Sequence, residues 1–207
     1  MTTRGNENAA YAADPRVKAF LDMIAHSEGT EGYGDNGYNV IVGYNYFSDY
    51  SKHPNRKIYI PSIKDYSSAA GRYQYIYPTW KGVQASNGLP DFSPKSQDIG
   101  AVELLRQRGS LSYILKGDIK QAIYQARKEW ASFPGANYPG QGMRSISNLL
   151  KWYNAALSKY GGTPVTSNTP GSAGSATKIT EAGTGPLQVI LLIGFAFAIV
   201  AAYLNYR

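Results

Sequence analysis

The chain has 207 residues, enough for one domain of ordinary size with appendages. It contains no cysteine and only two histidines, which excludes disulfides, thiolate metal sites and a cysteine nucleophile, and argues against a multi-histidine metal site. The sequence indicates neither a metal nor an organic cofactor. The net charge of +7 favours a polyanionic partner, whether an acidic glycan, a lipid surface or nucleic acid.

The first predicted elements are a tail and a helix. Residues 1–13 are polar and lack the apolar stretch of a signal peptide, so we expect a polar tail. Asp14 then caps a helix that ends at Gly29. The apolar face of this helix, at helical spacing, comprises Val17, Phe20, Leu21, Ile24 and, at its last turn, Glu28.

Glu28 is the sharpest catalytic candidate. A carboxyl on an apolar face is desolvated, which raises its pKa, and the negative end of the helix dipole acts in the same direction. A carboxylic acid that stays protonated near neutral pH can protonate the leaving oxygen of a glycosidic bond. The alternative is a solvated glutamate at a frayed helix end.

The following elements predict an α+β domain at residues 14–160. Short β-prone runs between Gly32 and Tyr66 indicate a small antiparallel sheet. Helices are predicted from Ser93-Pro94, from Asp118 through Trp130 and from Arg144 to Tyr160. A helix, a small sheet and several helices favour two lobes with a cleft between them.

The remainder predicts a linker and a membrane span. Residues 161–185 are rich in Gly, Thr, Ser, Ala and Pro, as in a flexible tether. Residues 186–206 form an apolar run, and no charged side chain occurs between Glu181 and Arg207. A helix there is roughly 30 Å long, which matches the hydrocarbon core of a bilayer. We therefore predict one C-terminal transmembrane helix.

Six segments together resemble one known family. They are LDMIAHSEGT, GYNVIVGYNYFSDYSKHP, AAGRYQ, DFSPKSQD, KGDIKQAI and EWASFPGANYPG. In this order and spacing, over about residues 17–156, they resemble the endolysin family of bacteriophage lambda. The resemblance implies a lysozyme-like fold and a peptidoglycan lytic transglycosylase that cuts between N-acetylmuramic acid and N-acetylglucosamine.

The resemblance also implies site residues. The family's catalytic glutamate lies in an SEG motif, which matches Ser27-Glu28-Gly29. The segment matching Gly71 to Gln74 borders the cleft and suggests Tyr73 and Gln74 as substrate contacts, to which we add Tyr38. The segment matching Pro134 to Tyr138 lines the other wall and suggests Asn137 and Tyr138. Asn36 departs from the family, whose members have a histidine at this point.

A transglycosylase needs one acid/base residue, whereas hydrolysis by the usual route needs a second carboxylate. Glu31, Asp35 and Asp49 are close enough in sequence to reach the cleft. The sequence therefore leaves a hydrolytic muramidase used in host lysis open. A glycan-binding structural virion protein without activity is a further alternative, and Asn36 is the feature that favours it.

The apolar terminus determines the expected location. We predict a single-pass protein of the virion membrane that acts in the host periplasm and helps to penetrate the cell wall at entry. The expected partners are peptidoglycan, a lipid membrane bound through the C-terminal helix, and other virion membrane proteins. Nucleic acid is not expected as a partner.

Overall fold

The computed structural model describes residues 1–136 and 143–165. In these residues the chain forms helices and short strands in the order α1 Thr3–Ala12, α2 Pro15–Glu28, β1 Val40–Ile41, β2 Asn45–Tyr46, β3 Ile58–Ile60, β4 Asp65–Ser67, α3 Tyr77–Asn87, α4 Pro94–Gln107, α5 Ser110–Lys116, α6 Ile119–Ala126 and α7 Ile146–Lys159.

Helix α1 occupies the segment that the sequence predicted as a polar tail. Thr2 caps it by accepting a hydrogen bond from the backbone N–H of Gly5. The Asn8 side chain is fully buried and donates to Glu103 of α4 at 2.7 Å. The apolar side chains of α1 that pack against the core are only Ala9, Tyr11 and Ala12, so the segment lacks the large apolar residues that would identify it as an amphipathic helix.

Helix α2 has the predicted limits. Asp14 accepts a hydrogen bond from the backbone N–H of Arg16, and Gly29 ends the helix in the left-handed conformation at φ 69°. The apolar face packs against α7, where the Phe20 ring makes an edge contact with Tyr153 at 6.4 Å between centroids. This packing buries the last turn of α2, including Glu28.

The predicted antiparallel sheet is two separate hairpins. Strand β1 pairs with β2, and β3 pairs with β4 in a register that places Tyr59 opposite Tyr66. A single bridge from Ile41 to Ala70 connects the first hairpin to the segment before α3. The turn residues between Gly32 and Tyr66 therefore predicted the strands correctly, but they did not predict that the strands form two hairpins instead of one sheet.

The helices after the hairpins begin largely where the sequence predicted. Ser93 caps α4, Asp118 caps α6 and Ser145 caps α7. Helix α6 ends at Ala126 instead of continuing through Trp130. The chain after it turns inward, so that the Trp130 indole is buried and its N–H points to the Tyr73 carbonyl at 3.4 Å.

Several predictions fall outside the described residues. Asn137 and Tyr138 do so, as do residues 166–185 of the predicted linker and the predicted span at 186–206. Within 1–136 and 143–165, none of the helices combines the length and the apolar character needed to cross a bilayer.

Candidate active site

Glu28 lies at the end of α2 and is 4% exposed. The left-handed turn at Gly29 directs the chain away after it, and Thr30 then donates its hydroxyl to the Arg72 carbonyl at 2.6 Å. The carboxyl group is therefore held inside the protein by the helix before it and by an anchored turn after it.

Two serines form a hydrogen-bonded chain to the Glu28 carboxyl group. The Ser132 hydroxyl donates to Glu28 Oε1 at 2.6 Å, and the Ser27 hydroxyl donates to Ser132 Oγ at 2.7 Å. Both serines are buried. This chain fixes the position of one carboxyl oxygen and supplies it with a polarised donor.

Arg144 brings positive charge to the same place. Its backbone N–H donates to the Ser132 carbonyl at 2.8 Å, and its Nε donates to the Ser27 carbonyl at 3.4 Å. The guanidinium carbon lies 6.0 Å from the centre of the Trp152 ring, which stacks on His26. Arg144 is thus held against the residue that precedes Glu28.

These surroundings raise the pKa of Glu28 to about 8. Burial is the main cause, because it disfavours the charged form. The hydrogen bond from Ser132 and the charge of Arg144 lower the pKa but do not offset the burial. Glu28 is therefore largely protonated at neutral pH, as a general acid must be.

The three other carboxylates considered from the sequence are engaged elsewhere. Glu31 pairs with His26. Asp35 accepts a hydrogen bond from the Tyr50 hydroxyl at 2.8 Å. Asp49 is exposed, and hydrogen bonds from the side chain and the backbone of Ser51 lower its pKa. Among the described residues, none of these carboxylates contributes to the pKa shift of Glu28.

Two of the predicted sugar contacts share a partner on α4. Tyr38 and Tyr73 both donate their hydroxyls to Asp98 Oδ1, at 2.9 Å and 2.6 Å. Tyr73 is 3% exposed, whereas Tyr38 is only partly buried. Burial raises the pKa of Asp98, and the two tyrosine hydrogen bonds lower it. These tyrosines therefore join the hairpin region to α4.

Gln74 is also buried, and its side-chain amide donates to the Gly71 carbonyl at 2.8 Å. Gly71 has φ 80°, and a Cβ there would lie 2.3 Å from the Gln97 side-chain oxygen. That oxygen accepts the backbone N–H of Arg72 at 2.9 Å. The glycine is required because α4 approaches the backbone so closely.

Arg72 was not singled out from the sequence, yet it joins several elements. Its guanidinium donates to Asp22 of α2 at 2.8 Å and to the carbonyl of Asn36, and it lies over the Tyr38 ring. The Asn36 side chain accepts the backbone N–H of Gly32 at 3.3 Å. At the position where the family pattern has histidine, Asn36 thus takes part in a turn.

Ser132 and Arg144 were likewise not predicted from the sequence. Ser132 lies in the quoted segment EWASFPGANYPG, so the motif contained a signal for it. Arg144 lies in no quoted segment, and its proximity to Glu28 arises only from folding. In the described part of the chain, no group of three His, Asp or Glu side chains is arranged to hold a metal ion.

Comparison with known proteins gives consistent matches. A family model described as Endolysin matches residues 18–160. The endolysin of Escherichia phage lambda is 44% identical over 144 residues, which cover 67% of this chain and 89% of that protein. The endolysin of Escherichia phage P2 is 42% identical over 160 residues, which cover 72% of this chain and 94% of that protein.

Solved structures agree with the sequence matches. Bacteriophage lambda lysozyme complexed with a chitohexasaccharide has a TM-score of 0.67 at 43% identity. Another structure of lysozyme from bacteriophage lambda has a TM-score of 0.62 at 40% identity. Each alignment covers 72% of this chain and 96% of the other. The predicted family resemblance and the lysozyme-like fold are confirmed.

The predicted location in a virion membrane is wrong. The relatives that match this chain over most of their own length are endolysins. The error has a physical origin. The apolar character of residues 186–206 indicates how readily this segment leaves water, but it does not indicate where the folded domain acts.

Proposed function

We propose that this chain is a lytic transglycosylase acting in host lysis. It belongs to the endolysin family and is accordingly a peptidoglycan-cleaving enzyme with a lysozyme-like fold. It cleaves the bond between N-acetylmuramic acid and N-acetylglucosamine and leaves a 1,6-anhydro ring on the muramic acid. Glu28 is the single acid/base residue of the reaction.

The observation that supports this reaction most directly is that no second carboxylate acts on Glu28 within the described residues. Burial raises the pKa of Glu28 to about 8, and within the described residues no carboxylate contributes to that shift. Residues 137–142, which lie between Ser132 and Arg144 in the chain, read NYPGQG and contain no acidic side chain. A hydrolase with two carboxylates needs the second one about 5–10 Å from the first.

The reaction proceeds in two proton transfers. Protonated Glu28 donates to the glycosidic oxygen as the bond to the anomeric carbon breaks, and N-acetylglucosamine leaves with that proton. The C6 hydroxyl of the muramic acid attacks its own anomeric carbon, and its proton passes to the Glu28 carboxylate. No water is consumed, and Glu28 ends protonated as it began.

Neighbouring groups support both states of Glu28. Burial keeps the acid protonated before the bond breaks. The Ser132 hydrogen bond and the positive charge of Arg144 then stabilise the carboxylate that forms, since each lowers its pKa. Because both reacting groups belong to one sugar, proximity lowers the entropic part of the barrier.

The predicted substrate contacts differ in how directly they can act. Tyr38 is partly exposed and can touch a sugar with its ring. Tyr73 and Gln74 are buried, so we assign them to support of the site through Asp98 and the Gly71 carbonyl. Asn137 and Tyr138 remain proposed substrate contacts.

The mass of the products tests the reaction. We expect digestion of purified peptidoglycan to give muropeptides one water lighter than the reducing-end products of a muramidase. Glu28→Gln should give no product, and Glu31→Gln, a matched change three residues away, should retain cleavage. Reducing-end products would show a hydrolase, and undiminished cleavage by Glu28→Gln would remove Glu28 from the reaction.

A further inference from the structure

Arg144 carries a charge that is not balanced by an ion pair in the described part of the chain. The salt bridges found there involve five other arginines and His26, and none includes Arg144. Residues 137–142 supply no carboxylate, since they read NYPGQG. Glu28, which is connected to Arg144 through hydrogen bonds to Ser27 and Ser132, is largely neutral because its pKa is about 8.

The position of this cation is nevertheless fixed. Its backbone N–H and its Nε are hydrogen-bonded to the carbonyls of Ser132 and Ser27, and its guanidinium lies over Trp152. Only one nitrogen of the guanidinium is used by these contacts, although the group offers five N–H donors in a planar fork. A positioned guanidinium whose other nitrogens make no hydrogen bond within the described residues is suited to bind a carboxylate.

Tyr44 presents a second unusual feature, in the turn between β1 and β2. It adopts φ 59°, a left-handed conformation that is unfavourable for a large aromatic residue. Its ring packs on Tyr33 at 4.8 Å between centroids. Its hydroxyl is buried and has no hydrogen-bond partner among the described residues, which is costly unless a ligand supplies one.

Tyr44 and Arg144 lie within electrostatic reach of each other. Burial and the neighbouring Tyr33 raise the pKa of Tyr44, whereas the charge of Arg144 lowers it. The same charge lowers the pKa of Glu28. The charge of Arg144 therefore acts both on the catalytic carboxyl group and on the tyrosine hydroxyl.

We propose that Arg144 and the Tyr44 hydroxyl form a subsite for a carboxylate of the muramic acid unit, either the lactyl carboxylate or one on the stem peptide. This inference rests on the proposed function, since only a substrate with muramic acid brings these carboxylates to Glu28. The subsite makes the enzyme prefer acidic peptidoglycan strands to a neutral polymer of N-acetylglucosamine.

Binding measurements on a non-cleaving background test the subsite. The Glu28→Gln variant is compared with Glu28→Gln/Arg144→Gln by calorimetry on three ligands. These are chitohexaose, which is neutral, glycan fragments with intact stem peptides, and the same fragments after an amidase has removed the peptides and freed the lactyl carboxylate. The comparison of the last two identifies which carboxylate is bound.

We expect Arg144→Gln to weaken binding of a carboxylate-bearing fragment about tenfold, or about 1.4 kcal/mol, and to change chitohexaose binding less than twofold. Arg144→Lys should recover part of the loss, because it keeps the charge and loses the fork. Equal losses on all three ligands, or no loss on any, would overturn the subsite. Failure of the wild type to cleave peptidoglycan would instead overturn the proposed function.

Tyr44→Phe provides an independent test that removes only the hydroxyl. Because this hydroxyl has no partner among the described residues of the free protein, its removal should leave the thermal midpoint unchanged or higher. Affinity for the carboxylate-bearing fragments should fall about threefold, within the range of one hydrogen bond. A lower midpoint with unchanged affinity would show that Tyr44 is purely structural.

Discussion

At the scale of single residues, the function depends on how Glu28 is surrounded. A glutamate at a helix end in water would be ionised at neutral pH. Here burial raises the pKa to about 8, while Ser132 and Arg144 limit the rise. An acid that must first donate and then accept a proton works best when neither form is strongly favoured. The opposing effects of burial and of the two polar neighbours provide this balance.

Ser132 is expected to adjust the acid without being essential for folding. Ser132→Ala removes the hydrogen bond to Glu28, which stabilises the carboxylate, so the pKa of Glu28 should rise further. The alkaline limb of kcat/KM should move to higher pH, and kcat at neutral pH should fall roughly tenfold. The measurement is a pH–rate profile on peptidoglycan. Ser27→Ala, which breaks only the bond to Ser132, should have a smaller effect, and equal profiles would contradict this role.

The same carboxyl group should make stability depend on pH. Its folded pKa of about 8 exceeds the ordinary glutamate value of 4.5, so between these values the folded state holds a proton that the unfolded state has lost. Stability is therefore lost as pH rises, by up to about 1.4 kcal/mol per pH unit from this group. Urea unfolding of Glu28→Gln should lack that decline between pH 5 and 8. Parallel curves for the two proteins would argue against the raised pKa.

At the scale of elements, a polar network keeps α2, α4 and α7 in place around the site. Arg72 binds Asp22 of α2, and the same carboxylate accepts a hydrogen bond from Tyr160 at the end of α7. Tyr38 lies under the Arg72 guanidinium and donates to Asp98 of α4. The helices on which Glu28 depends are thus joined through side chains that lie outside the catalytic motif.

Removing Arg72 should be costly because its charge is buried. Arg72 is 2% exposed, and Arg72→Met would leave Asp22 without its cation. We expect a loss of about 3 kcal/mol in the free energy of unfolding, measured with urea. Arg108→Met breaks the more exposed pair with Glu129 and should cost less than about 1 kcal/mol. A similar small loss for both variants would refute the assigned importance of the network.

Helix α1 should contribute to stability through Asn8. This side chain donates to both Glu103 and Asn87, and Glu103 is 1% exposed. Asn8→Ala leaves buried polar atoms with fewer partners and should lower the free energy of unfolding by about 2 kcal/mol. Asn6→Ala, on the exposed side of the same helix, serves as the control and should have little effect. Equal stabilities would mean that α1 is loosely attached.

At the scale of the whole molecule, the sequence predicted what local signals determine. The limits of α2 follow from Asp14 and Gly29, and the position of Glu28 on the apolar face follows from helical spacing. Helix α1 was missed because its main partner, Glu103, is 95 residues away from Asn8. The Ser132 contact spans 104 residues and is equally invisible to spacing.

The directions of side chains were also not determined by local sequence patterns. Tyr73 and Gln74 were selected as substrate contacts from the segment that contains them, but both are 3% exposed. Their hydrogen bonds depend on Asp98 and on the close approach of α4 at Gly71, which arise only in the folded chain. The motif identified the right region of the fold and could not specify which atoms face a ligand.

The central claim is that Glu28 is a protonated acid near neutral pH, and a direct titration tests it. In protein labelled with ¹³C at glutamate side-chain carboxyls, the signal absent from Glu28→Gln is assigned to Glu28 and followed from pH 3 to pH 10. We predict a midpoint near pH 8, as burial dictates. A midpoint near the ordinary value of 4.5 would contradict the account.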